Sequence, residues 1–139
     1  MELRTLEDTA RFAGSLARAL KPGKSYGFIG ELGAGKTTLI SALCRELGVT
    51  EPVSSPSFVL EHQYAGANVR FEHWDLYRLR DLPLDLYEPP EPDTIRLVEW
   101  ADRDTEFAAR LDGVISIDLG YGDDGAALRK VTLSGELSA

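Results

Sequence analysis

The sequence predicts an α/β fold with a central mixed sheet flanked by helices and including antiparallel strands, on three observations. A short apolar stretch, Tyr26-Gly27-Phe28-Ile29, runs through a glycine-rich octamer into a segment of helical periodicity. A second compact apolar stretch, Ile95-Arg96-Leu97-Val98, ends on the carboxylate of Glu99. Two further regions, 68–75 and 113–133, carry strand-like patterning broken by turn residues. The 139 residues fit one domain, 1–139, and such a chain is long enough to bury a core.

Taken in order, Thr5-Leu6-Glu7-Asp8 opens the first helix, with Thr5 as N-cap and acids in the first turn. Leu6, Ala10, Ala13, Leu16, Ala17 and Leu20 form its expected buried face, and Pro22-Gly23 ends it. Thr9 reads on its own as an ordinary helix residue. The strand 26–29 and the octamer follow, then a helix over 36–47. That helix is marked by Leu39, Ile40, Leu43 and Leu47 and stopped by Gly48. Two prolines and three serines make 52–58 a loop.

Residues 59–64 read as a strand and Gly66-Ala67-Asn68 as a turn. In 68–75, Val69, Phe71, His73 and Asp75 share one face, and Arg70, Glu72 and Trp74 the other. This alternation suits a half-exposed strand, antiparallel to 59–64. Asp75 would cap a short helical segment over 76–79, and His73 reads as a semi-buried imidazole. The stretch 81–94 is an acidic, proline-rich loop. Residues 95–100 form a strand, 104–111 a helix, and 113–119 and 128–133 a hairpin around the acidic turn 120–125.

The octamer Gly30-Glu31-Leu32-Gly33-Ala34-Gly35-Lys36-Thr37 matches the P-loop pattern at every fixed position, in the strand-to-helix context the pattern requires. Glycines at 30, 33 and 35 let successive N–H groups converge on one anion, and the helix start adds free donors and the positive end of its dipole. Lys36 can set a cation against the outer phosphates, the Thr37 hydroxyl can face Mg²⁺, and Thr38 can add a contact at the helix start. A carboxylate such as Glu99, at the carboxyl end of a strand, stands where a P-loop fold places its Mg²⁺-linked acid.

Composition narrows the partners. Acids outnumber bases 23 to 15, for a net charge of −8, which disfavours direct, tight binding of RNA or DNA. Arg78, Arg80 and Arg96 read first as a solvated face and otherwise as a candidate basic patch, and a link to nucleic acid is expected through a protein partner. No apolar run reaches membrane-spanning length and no secretion signal is evident, so a cytoplasmic protein without membrane contact is expected. Cys44, the single cysteine, falls on the apolar side of the second helix and reads as a buried filler.

Four blocks stand in order: the P-loop with Thr38, Ser55-Pro56-Ser57-Phe58, His73-Trp74-Asp75-Leu76-Tyr77-Arg78, and Leu97-Val98-Glu99-Trp100. This series resembles the TsaE (YjeE) family, small bacterial ATPases of tRNA threonylcarbamoyladenosine synthesis. The resemblance runs from about Thr9 to the last strand. It implies an ATP- and Mg²⁺-dependent ATPase that supports threonylcarbamoylation of the adenosine next to the anticodon. It would do so by acting on a TsaD–TsaB complex, touching tRNA only through that complex.

By motif, the resemblance implies that Lys36 holds phosphates, that Thr37 and Glu99 serve Mg²⁺, and that Asp75 matters for hydrolysis. Glu31, Leu32, Gly33, Ala34, Gly35 and Thr38 would complete the cradle. Trp100 would lie near the nucleotide or the partner surface, Thr9 and Arg129 on the nucleotide side, and the serine–proline loop would respond to the nucleotide. Glu31, Ser57 and Trp74 replace the family's usual Asp, Thr and Phe, and 79–94 is shorter than usual.

Asp75 or Glu99 would orient the attacking water, and the residues leave that choice open. No arginine finger stands out, so slow hydrolysis by the isolated chain is expected. A small-metabolite or nucleotide kinase is the alternative enzyme, but the only lid-sized stretch is acidic and proline-rich. A GTPase is disfavoured, because the sequence has no N-K-x-D guanine-reading segment. A binding module switched by ATP would share the same site.

Overall fold

The computed structural model describes residues 1–31, 33–54, 56 and 61–138. It opens with a two-residue strand that the sequence does not signal, β1 (Glu2–Leu3), followed by helix α1 (Leu6–Ala19). Thr5 caps α1 in a reciprocal box: its hydroxyl accepts from Asp8 N (3.0 Å), and the Asp8 carboxylate accepts from Thr5 N (3.1 Å). The buried face of α1 is rotated from the expected one. Phe12, Ala13, Leu16 and Ala17 are buried, whereas Leu6 is 80% exposed and Ala10 also faces solvent. Phe12, left out of the periodic set, draws the face toward itself because it offers the largest apolar area on the helix.

Strand β2 (Ser25–Ile29) feeds the P-loop, and α2 (Lys36–Glu46) leaves it. Strand β3 (Glu61–Ala65) covers the described part of the 59–64 expectation, residues 59 and 60 lying outside the described set. After it come β4 (Arg70–Asp75), β5 (Thr94–Glu99), the four-residue helix α3 (Thr105–Ala108), and the hairpin β6 (Gly113–Tyr121) and β7 (Ala127–Gly135). The strands form one sheet in the order β1-β7-β6-β2-β5-β4-β3. β2, β5 and β4 are parallel neighbours, as are β2 and β6, while β3–β4, β6–β7 and β1–β7 are antiparallel. The sheet is therefore mixed, with helices on its faces.

Two apolar clusters lie on opposite faces. One packs α1 and α2 on the sheet through Leu16, Leu39, Ile40, Leu43, Phe28, Phe71, Leu97 and Ile115. The other joins Trp74 and Val98 to Leu76, Leu86, Ala101 and Phe107. The face alternation read in 68–75 holds: Phe71 enters the first cluster and Trp74 the second. The expected half-exposure does not. With β5 on one side and β3 on the other, residues 73–75 are buried on both faces.

Three local expectations change. Residues 76–79 form a turn closed by Leu79 N–H to Leu76 O (3.2 Å), not a helical segment. The helix expected over 104–111 is confined to α3, capped by Asp104 through Phe107 N (2.9 Å). The proline-rich loop contains a 3₁₀ turn, Leu84–Tyr87, whose Leu86 is buried. Nor does Arg96 belong to a basic patch. It is 3% exposed and pairs with Glu72 at 3.0 Å, while donating to the carbonyls of Leu86, Glu88 and Asp85. Among the described residues, no helix is long and apolar enough to cross a membrane.

Candidate functional site

The carboxyl ends of β2, β5 and β4 meet at one edge of the sheet, and each delivers part of the site. Gly30 follows β2 and tolerates no side chain: a Cβ there would stand 2.5 Å from Ile117 O on β6. Gly35 sits at φ 105° as the N-cap of α2, a left-handed conformation that glycine adopts without strain. Leu39 N–H closes the first turn of α2 on Gly35 O (3.0 Å), leaving the amides of 36–38 without intrahelical acceptors. The loop and the 11-residue helix α2 thus present a row of donors and the positive dipole end.

Lys36 is 5% exposed, and its ammonium donates to Gly30 O (2.6 Å) and Glu31 O (3.0 Å). It also lies 4.1 Å from the centroid of the Trp100 ring. Burial lowers its pKa, opposed by the nearby carboxylates of Glu99, Asp75 and Asp102. The Thr37 hydroxyl donates to the Glu99 carboxylate, 3.0 Å from Oε1 and 3.1 Å from Oε2. Asp75 is the register partner of Glu99 on the adjacent strand, so the two carboxylates stand side by side. Asp75 Oδ1 accepts from Tyr77 N (2.9 Å), so its capping role is that of a turn residue.

Trp100 is the only non-glycine among the described residues with positive φ, at 57°. A bulky residue held there costs on the order of 1–3 kcal/mol. Its N–H bonds Phe28 O (3.0 Å), and its ring packs on Tyr77 with centroids 4.7 Å apart. This strained turn carries the indole from the end of β5 over Lys36.

A cavity of about 390 Å³ is bounded by Gly33, Gly35, Lys36, Thr37, Asp75 and Glu99, with Thr38, Tyr77, Trp100 and Arg129 at its sides. A second, of about 260 Å³, lies across the start of α2 and includes Thr9, Ala34, Gly35, Thr38 and Arg129. Arg129 reaches the loop from β7, its Nε donating to Ala34 O (3.0 Å). Thr9 hydrogen-bonds back to Thr5 O (3.3 Å) as an ordinary helix residue does, while still lining the second cavity. The structure thus gathers Asp75, Lys36, Glu99, Gly33, Gly35, Thr37, Thr38, Trp100 and Arg129 at one cavity and sets Thr9 and Ala34 on the other. Glu31 contributes its carbonyl. Leu32, and Ser55, Ser57 and Phe58 of the serine–proline loop, lie outside the described residues.

Sequence reasoning missed Tyr77, which backs Trp100, and the contact of His73 Nε2 with Glu99 Oε2 at 2.6 Å. The shared face of His73 and Asp75 was the available signal. The register that sets His73 beside β5 was not.

The donor set suits a small hard cation. A hydroxyl and a carboxylate are adjacent at the mouth of an anion cradle, and Mg²⁺ commonly takes one or two protein oxygens with phosphates and waters. Among the described residues no cluster of three or more His, Cys, Asp or Glu is arranged to hold a metal.

The family model described as "Threonylcarbamoyl adenosine biosynthesis protein TsaE" matches residues 3–138. The tRNA threonylcarbamoyladenosine biosynthesis protein TsaE of Nostoc sp. is 34% identical over 134 residues, covering 91% of this chain and 80% of the relative. The protein of the same description from Streptomyces coelicolor is 36% identical over 129 residues, covering 86% and 85%. The crystal structure of Bacillus subtilis YdiB superimposes with a TM-score of 0.68 at 27% identity, covering 96% of this chain and 83% of that one.

Proposed function

We propose, since the chain belongs to the TsaE family of tRNA threonylcarbamoyladenosine biosynthesis proteins, that it is a Mg²⁺-dependent ATPase that supports this modification by acting on a TsaD–TsaB complex. The family is of P-loop NTPase type. One observation carries the ATPase reading: the Thr37 hydroxyl, the Glu99 carboxylate and the Asp75 carboxylate converge beside Lys36 at the anion-binding end of α2.

The amides of the loop and Lys36 bind the β- and γ-phosphates, and Thr37 and Glu99 hold Mg²⁺. Bound there, the ion neutralises charge on the phosphate oxygens. Asp75 or Glu99 orients the attacking water. The rest of the task is positioning, helped by Trp100, which covers Lys36 and limits water around it. Thr9 and Arg129 meet the nucleotide beyond its phosphates, at the second cavity. Hydrolysis by the isolated protein is slow, and the partner complex accelerates it. tRNA is touched only through that complex, in the cytoplasm.

The segment that a kinase would use as a lid is instead anchored by Arg96 to the carbonyls of 85, 86 and 88, which disfavours the kinase alternative. The test is hydrolysis by the protein alone and with TsaD, TsaB and tRNA added. The expected result is strong stimulation that disappears in Lys36→Ala and Glu99→Ala. ATP binding with no stimulation and no effect on the modification refutes the proposal. Asp75→Asn is expected to keep ATP affinity and lose function; full function without hydrolysis would instead indicate an ATP-switched binding module.

A further inference from the structure

Behind Glu99 runs a line of polar groups that the chemistry above does not use. His73 is completely buried on β4, with Nε2 2.6 Å from Glu99 Oε2 and Nδ1 3.3 Å from the Tyr64 hydroxyl. Tyr64, 6% exposed on β3, also stands 3.2 Å from Ser54 O. His62 Nδ1 lies 3.2 Å from both that carbonyl and the Tyr64 hydroxyl.

Counting protons gives these contacts directions. A carboxylate only accepts, so His73 Nε2 carries the proton it gives to Glu99. With the ring's proton on Nε2, Nδ1 can accept from the Tyr64 O–H at 3.3 Å. The Tyr64 hydroxyl is within donating distance of both Ser54 O and His73 Nδ1, and when its one proton goes to His73, His62 Nδ1–H serves Ser54 O. This assignment satisfies every group: His62 donates to Ser54, Tyr64 to His73, and His73 to Glu99. No buried polar side-chain atom among the described residues lacks a partner. An aliphatic residue would fill position 73, facing Leu97, at a lower desolvation cost. Packing alone gives no reason for an imidazole there; its two polar edges do.

We propose that His73 is a positioning residue for the metal-side carboxylate: it holds Glu99 turned toward the Thr37 hydroxyl, and Tyr64 fixes the tautomer that lets it do so. The inference rests on the reading of Glu99 as a Mg²⁺-side residue. Partners behind a metal-side carboxylate typically contribute 10–100-fold to metal affinity.

The test measures Mn²⁺ binding in the presence of ADP by electron paramagnetic resonance, so that no hydrolysis is needed. His73→Leu is expected to weaken Mn²⁺ binding about 10–100-fold while leaving metal-free ADP affinity unchanged. His73→Gln, which keeps a donor toward Glu99, is expected to restore most of that loss. Tyr64→Phe removes only the hydroxyl and is expected to cost about 2–10-fold, the worth of one neutral hydrogen bond. Mn²⁺ affinity within twofold of wild type in folded His73→Leu, or a loss in His73→Gln as large as in His73→Leu, overturns the proposal. Should His73→Leu fail to fold, His73→Gln and Tyr64→Phe decide: wild-type affinity in Tyr64→Phe, or a loss beyond 10-fold in His73→Gln, overturns it. A wild-type protein that binds no Mn²⁺ with ADP overturns the metal reading of Glu99 itself.

Discussion

Replacing Arg96 with Met tests how the proline-rich segment is held on the sheet. The guanidinium makes two short contacts, Nε to Glu72 Oε1 at 3.0 Å and Nη1 to Glu88 O at 2.7 Å, and two longer ones at 3.3 and 3.4 Å. Removing one partner of a buried pair costs about 3–5 kcal/mol, because the other charge stays buried and uncompensated. Here Glu72 is 16% exposed at its side chain and keeps the Trp74 indole N–H at 2.9 Å, so it can turn toward water. That places the expected loss at the lower end, about 3 kcal/mol. With a urea slope of about 1.5 kcal/mol per molar, the unfolding midpoint falls by about 2 M. The assay is equilibrium urea unfolding followed by far-UV circular dichroism. The double change Glu72→Gln with Arg96→Met is expected to recover part of the loss. A midpoint shift below about 0.5 M in Arg96→Met refutes the reasoning and returns Arg96 to the solvated surface.

Two other outcomes follow from burial and close approach. Gly30→Ala forces a methyl against Ile117 O, so a loss of about 1–3 kcal/mol is expected in thermal or urea unfolding, together with weaker ATP binding by titration. Cys44 is fully buried, and burial pushes its thiol up from 9.0 to about 12, so alkylation by iodoacetamide at pH 8 should proceed only through unfolding. The sign of its linkage follows. Below pH 9 both states hold the proton and this group leaves stability unchanged. Between pH 9 and 12 the unfolded chain alone loses it, so stability falls by up to about 1.4 kcal/mol per pH unit, a slope that Cys44→Ala should remove.

Much of the framework is local and therefore legible in the chain. The capping box at Thr5, the strand-to-helix context of the P-loop and the apolar run ending at Glu99 are each set by residues within a few positions of one another. What escaped depends on partners distant in sequence. β1 is two residues long and exists through its pairing with Lys130 and Arg129 of β7. The 3₁₀ turn at 84–87 forms in a stretch that reads as loop because Leu86 finds the Trp74 cluster and Arg96 collects its carbonyls. Arg96 itself looked like a surface cation because its charge partner is 24 residues away. The site follows the same division. Lys36, Thr37 and Glu99 were visible as motif residues, whereas the hydrogen bond from His73 to Glu99 spans 26 residues and depends on the β4–β5 packing.

The most direct test uses the indole that covers Lys36. In a Trp74→Phe background Trp100 is the sole tryptophan, and its fluorescence reports on the ammonium 4.1 Å from its ring. Titration with ATP is expected to give a saturable change that is stronger with Mg²⁺ and abolished by Lys36→Ala. A folded protein whose Trp100 emission and calorimetric signal stay unchanged up to millimolar MgATP would contradict a nucleotide site at this loop.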